Sequence, residues 1–200
     1  MMVEAMTLLI KQLNDYIAQA DGGGPGAPVQ TVWGNVAQLD RPEVATELEN
    51  HIVLTLVNLE EERALKNGRS FASVGSSDVA YRNRPIHLNL FLLFTANYRN
   101  YGTALRRLSQ VLTFFQGKQR FTLANSPGAL PQPPIAELSL TMDLISPKFE
   151  EVNHLWGFLG AKQGVSVLYR GRLVAVSDDR VLTGGGIIRE IDVLSRDATA

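Results

Sequence analysis

The run IAELSLTMDLISPKFEEVNHLWGFLGAKQGVSVLYRGRLVAV, residues 135–176, changes its hydrophobic period twice. Its first ten residues alternate, with Leu138, Leu140, Met142 and Leu144 on one side and Glu137, Ser139, Thr141 and Asp143 on the other. That is a strand with one wet face, which favours an antiparallel position. Ser146-Pro147 then reads as a helix start, Ser as N-cap and Pro as first helical residue. Phe149, Val152, Leu155, Trp156 and Leu159 recur at helical spacing, and Gly160 marks the stop. Residues 166–176 return to a strand, in which Arg170 and Arg172 share one face of the pleat.

The same periods can be followed outward. Met6, Leu9, Ile10, Leu13 and Ile17 make residues 1–20 an amphipathic helix of about five turns, and DGGGPGAP (21–28) follows as a flexible, helix-incompatible linker. Its glycines lack the Gly-Lys-Ser/Thr of a phosphate loop. HIVLTLVNL (51–59) reads as a strand with Ile52, Leu54 and Leu56 on one face and Val53 and Val57 on the other, so it is expected to be central and covered on both sides. Residues 60–85 are polar and aperiodic, a long arm of the kind that is functional, ordered by a partner, or simply a mobile surface loop. IHLNLFLLF (86–94) is a strand with Ile86, Leu88, Leu90, Leu92 and Phe94 together. A helix is expected over 101–116, with Leu105, Leu108, Val111, Leu112 and Phe115 as its stripe and Gly117 as its stop. RFTL (120–123) is a short strand, NSPGALPQPP (125–134) a proline-rich loop, and GGGIIREIDVL (184–194) a last alternating strand. The sum is one α+β domain over 1–200, with about six strands in a mixed but mainly antiparallel sheet and two or three packed helices.

Two hundred residues suffice for a real core. The net charge is −1, from 19 basic and 20 acidic residues, so the chain has no global footprint for nucleic acid or acidic lipid. It has no cysteine, which removes disulfides, thiolate chemistry and most structural zinc designs and fits synthesis in the cytoplasm. Glu4 and Lys11 interrupt the first helix, which therefore does not read as a secretion signal, and no run is long enough to span a membrane.

Catalytic constellations are not visible. His51, His87 and His154 lack partners at metal-ligand spacing and read as structural or surface histidines. SVGSS (73–77) lies in the arm rather than on a strand-to-helix turn, and Glu60, Glu61 and Glu62 read as a solvated strand end. No cofactor is expected. What stands out is arginine interleaved with aromatics, the composition of protein–protein contacts. By side-chain type and loop position the candidate contact residues are Arg63, Arg69, Phe71, Tyr81, Arg82, Arg84, Tyr98, Tyr101, Arg170 and Arg172. Local pairing of the arginines with Glu137, Asp143, Glu190 and Asp192 accounts for them equally well.

Four stretches together carry a family resemblance: NHIVLTLVNLEEE (50–62), RPIHLNLFLLFTANYRNYGTALRRLSQVLTFFQ (84–116), LSLTMDLISPKFEEVNHLWGFLGAKQGVSVLYRGRLVAV (138–176) and IIREIDV (187–193). They resemble the tail-terminator, or cap, proteins of phage-tail-like contractile injection systems of the Photorhabdus virulence cassette and antifeeding prophage types. The resemblance implies a non-enzymatic protein made in the bacterial cytoplasm. It would form a homohexameric ring on the distal end of the inner tube and contractile sheath, contact both proteins, end polymerisation and hold the last sheath ring. The particle would be either released on lysis or held at a membrane. In that setting Trp156, Phe158 and Gly160 are expected to lock a helix onto the sheet, and Arg170 and Arg172 to meet carboxylates in the sheet or across a subunit boundary. The alternatives are a tail-completion or joining protein elsewhere on the same particle, and a small-ligand or enzymatic α+β domain.

Overall fold

Apolar periodicity and burial coincide along α1 (Met2–Ala20), whose stripe of Ala5, Leu8, Leu9, Leu13 and Ile17 is buried throughout. The computed structural model describes residues 2–23, 27–62, 71–74, 78–82, 86–129, 138–176 and 181–186. After α1 come β1 (Thr31–Trp33), a 3-10 turn (Val36–Gln38), α2 (Pro42–Glu47), β2 (His51–Glu61), β3 (Phe71–Val74) and β4 (Asp78–Arg82). They are followed by β5 (Ile86–Asn97), α3 (Tyr101–Gly117), β6 (Arg120–Thr122), β7 (Ser139–Ile145), α4 (Phe149–Leu159), β8 (Ser166–Val176) and β9 (Val181–Gly186).

Six strands form one sheet in the order β1-β2-β5-β8-β7-β6, and β3-β4-β9 form a second. Only β1 and β2 run parallel; the other described pairs are antiparallel. This is the mainly antiparallel α+β architecture expected from the alternating strands. The six-stranded sheet is covered on both faces. On one face Ile52, Leu54, Leu90, Leu92, Phe94, Leu140, Tyr169 and Leu173 meet α1 and the Val111, Phe114 and Phe115 of α3. On the other, Val53 and Leu93 meet Trp156 of α4 together with Val36 and Leu48. Each fully buried Leu, Ile or Phe is worth about 1.5–3 kcal/mol in area removed from water. In the first layer Phe115 stacks 4.6 Å from Tyr169, and Phe94 meets both rings edge-on. Burial pushes the Tyr169 phenol up to about 12.

A side chain closes one edge of the sheet. Thr31 is the β1 residue whose N–H and C=O point away from β2, and Asn14 of α1 takes both. Its Oδ1 accepts from Thr31 N at 2.7 Å and from Gln30 N at 3.0 Å, and its Nδ2 donates to Thr31 O at 3.0 Å. An unpaired strand edge invites pairing with other chains, and this one is blunted.

Several local expectations give way. Residues 60–85 are not one aperiodic arm: β2 runs on to Glu61, β3 pairs with β4, and β4 pairs in turn with β9. That order comes from non-local pairing, which local periodicity does not register. The last described strand begins at Val181 and includes the glycines, whereas 187–194 lie outside the described residues. In α3, Leu105 and Leu112 are exposed and Phe114 is buried instead. The reason is α1: Tyr16 stacks 5.4 Å from Phe114, so the buried arc of α3 swings toward its neighbour. Gly117 does not stop that helix in a left-handed conformation. It is the last helical residue, and extended Lys118 turns the chain away, its N–H bonded to Phe114 O.

In α4 the N-cap is Lys148 rather than Ser146, and its N–H donates to the Glu151 carboxylate at 2.8 Å. Ser146 and Pro147 serve the turn out of β7 instead. Leu56, expected to face inward, is exposed beside the irregularity that shifts β2 against β5, past the end of β1.

Candidate functional site

Arg170 and Arg172 project from the same face of β8, and Gly171 between them faces the core. A Cβ at Gly171 would lie 3.1 Å from Leu140 and 3.2 Å from Met142, so glycine lets those side chains close over the strand. Across β7, Asp143 is in register with Arg170. Its Oδ2 lies 3.0 Å from Arg172 Nε and 3.5 Å from an Arg170 terminal nitrogen. The pair therefore meets a carboxylate within its own sheet, as the local reading expected. Half-exposed groups of this kind contribute about 0–1 kcal/mol.

Tyr98 is half-buried and turned inward, its hydroxyl donating to Gln30 Oε1 at 3.0 Å. Burial raises its pKa, opposed by nearby Arg107. Arg107 is mostly buried and pairs with Asp21 just past the end of α1, while Gln110 also donates to that carboxylate, at 2.9 Å. The Arg107 guanidinium holds the Asp21 carboxyl below the usual range. This network joins α1 to α3. Lys118 does similar work immediately after α3, donating to Gln12 and to Asn125 O at 2.7 and 2.8 Å, and burial lowers its pKa.

Tyr101, at the start of α3, is exposed. For Phe71, Tyr81 and Arg82 the described structure gives the strand position only; Arg63, Arg69 and Arg84 lie outside the described residues. Two aromatics expected in the core are outside it: Phe149 is 95% exposed and Phe158 is 82% exposed. Phe149 overhangs the first turn of α4, and Phe158 sits two residues, hence about 200°, from buried Trp156. Leu105, Leu112 and Leu144, like Leu56 and Phe149, are exposed apolar groups that sequence periodicity assigns inward.

Among the described residues no group of three His, Cys, Asp or Glu is placed to hold a metal, and no helix is long and apolar enough to cross a membrane. A groove of about 700 Å³ runs along α1 past Thr7, Ile10, Asn14 and Val29. Of its polar groups, Asn14 is committed to the β1 edge and Lys11 donates to Gly128 O.

Across residues 4–190 the sequence fits the family described as Pvc16 N-terminal domain. The chain belongs to that family. The resemblance drawn from the four sequence stretches is thus borne out at the level of the family. Two solved structures are similar to this Pvc16 N-terminal domain. One is the PVC sheath/tube terminator of an extracellular contractile injection system in its extended state, at 15% identity and a TM-score of 0.47, covering 75% of this chain and 51% of that one. The other is the tube-terminating cap of the anti-feeding prophage, at 17% identity and a TM-score of 0.45, covering 72% of this chain and 49% of that one. The domain spans about half the length of these solved chains. No curated protein matches it.

Proposed function

We propose that this chain is a structural terminator of a contractile injection particle. It forms a six-fold ring on the distal end of the inner tube and sheath, stops their growth and holds the last sheath ring. The observation that carries this reading is the family match over residues 4–190. The fold is compatible with it: a doubly covered sheet with apolar groups left on its outer helices is a building block that has surfaces to offer other proteins. Contacts with tube and sheath proteins and assembly in the bacterial cytoplasm are parts of the same reading.

The test is a length distribution. Particles from the producing cell are imaged by electron microscopy with and without the gene. Deletion is expected to give tubes and sheaths of scattered or excessive length with ragged ends, and complementation to restore one length. Particles that keep one length and a capped end without the chain would place it elsewhere on the particle, as a joining protein.

A further inference from the structure

We propose that copies of this chain pack head to tail, the outward face of α4 on one copy seated against the exposed flank of α3 and the β7 edge on the next. The inference rests on the ring-forming reading and names its contact.

The acceptor surface is built from α3. Leu105 and Leu112 lie seven residues apart, on one flank of the helix, and both are exposed, as is Tyr101 one turn before Leu105. Leu112 borders a recess of about 330 Å³ whose far wall includes Leu144 of β7, itself 53% exposed. Among the described residues β6 covers β7 only as far as Thr141, with one further bond from Met142 N to Gln119 O. The donor surface is the outer face of α4, where Glu151, His154 and Phe158 follow one another at i, i+3 and i+7.

Charge selects the occupant. The α3 sequence carries Arg106 and Arg107 and no acid; the α4 sequence carries Glu150 and Glu151 and no lysine or arginine. Arg107 is taken by Asp21 and Glu151 caps its own helix, so exposed Arg106 and Glu150 remain to complement each other. Packing α3 on a second α3 would set like charge against like, and so would α4 on α4. The pairing that removes both apolar patches and matches charge joins α3 to α4 of another copy. The two helices pack on opposite faces of the sheet, so the two patches are different surfaces of one copy, although Leu112 and Leu144 also border a recess with Val152 and Leu155 of α4. Joining the two patches makes a heterologous contact, the kind that closes into a ring when its rotation allows.

The absence of cysteine makes the test clean. Leu112→Cys, Phe158→Cys and the double variant replace the gene in the producing cell. Particles are then oxidised mildly and run on non-reducing gels. The double variant is expected to give a ladder from dimer upward, each single variant monomer only, and the two singles expressed together a dimer and nothing larger. A second set supplies charge: Arg106→Glu or Glu150→Arg alone should deplete the chain from particles, and the two together should restore it. A double-cysteine chain that stays monomeric on particles of normal length overturns the contact and leaves the ring standing, and so does a single variant that cross-links to itself. A wild-type chain missing from particles, whose deletion leaves length unchanged, overturns both.

Discussion

Trp156 is the large side chain through which α4 grips the sheet, buried among Val36, Leu48, Val53 and Leu93. Trp156→Ala should cost about 3–5 kcal/mol, read as a fall in the urea midpoint by circular dichroism. The Asp21–Arg107 pair gives a second, pH-dependent expectation. The folded Asp21 pKa is depressed, so its contribution is complete above the ordinary aspartate value of 3.8 and is lost as pH falls through the lower folded value. Asp21→Asn should therefore be less stable than the native chain by about 1 kcal/mol near neutrality. The gap should narrow below pH ~4 in denaturant titrations, as the native carboxyl takes up its proton. At this scale the sequence was legible where one helical face decides the matter. Trp156, Val152 and Leu159 fall on one arc and go inward. Phe158 is as apolar as any of them, but a two-residue step carries it round to the far side. Hydrophobic type had outweighed angle in the expectation that it locks the helix.

Among elements, the clasp between α1 and β1 is the contact with the most direct test. Asn14→Ala leaves two N–H groups and one C=O at Gln30 and Thr31 without their acceptor and donor, at a cost of about 1–3 kcal/mol. Amide exchange at Thr31 should quicken more than exchange in β5, which the clasp does not touch; equal acceleration at both would mean the residue acts only through global stability. β2, β5, β7 and β8 were readable because their alternation matches a sheet with a filled core. β1 was not, since three residues carry too little pattern, and its position depends on β2 and on Asn14. β3 and β4 were hidden for a related reason: they are short, and the second partner of β4 is β9, a hundred residues downstream. The α3 stripe was read too narrowly because a second helix, α1, widens the arc that can be buried.

At the scale of the molecule, the sheet divides the surface in two. α3 lies over one face with basic charge and exposed leucines, and α4 over the other with acidic charge and an exposed phenylalanine. Composition alone had pointed to arginine and tyrosine as the contact chemistry. Of that set, Tyr98, Arg170 and Arg172 have internal partners, while Tyr101 borders the proposed contact. The residues better suited to meet another chain looked like core residues in the sequence, because an apolar side chain meant for a neighbour and one meant for the interior carry the same signal. Charge on the helices, which is asymmetric between α3 and α4, was the readable clue.

The Asn14 clasp also has a consequence in time. Asn14 and Thr31 are 17 residues apart, and β2 does not begin until His51. Both halves of the clasp therefore leave the ribosome before the first residue of the strand that β1 will join. The direction of synthesis sets the stopper ahead of the edge it blunts, so a nascent sheet need never present that side to its neighbours on a crowded polysome.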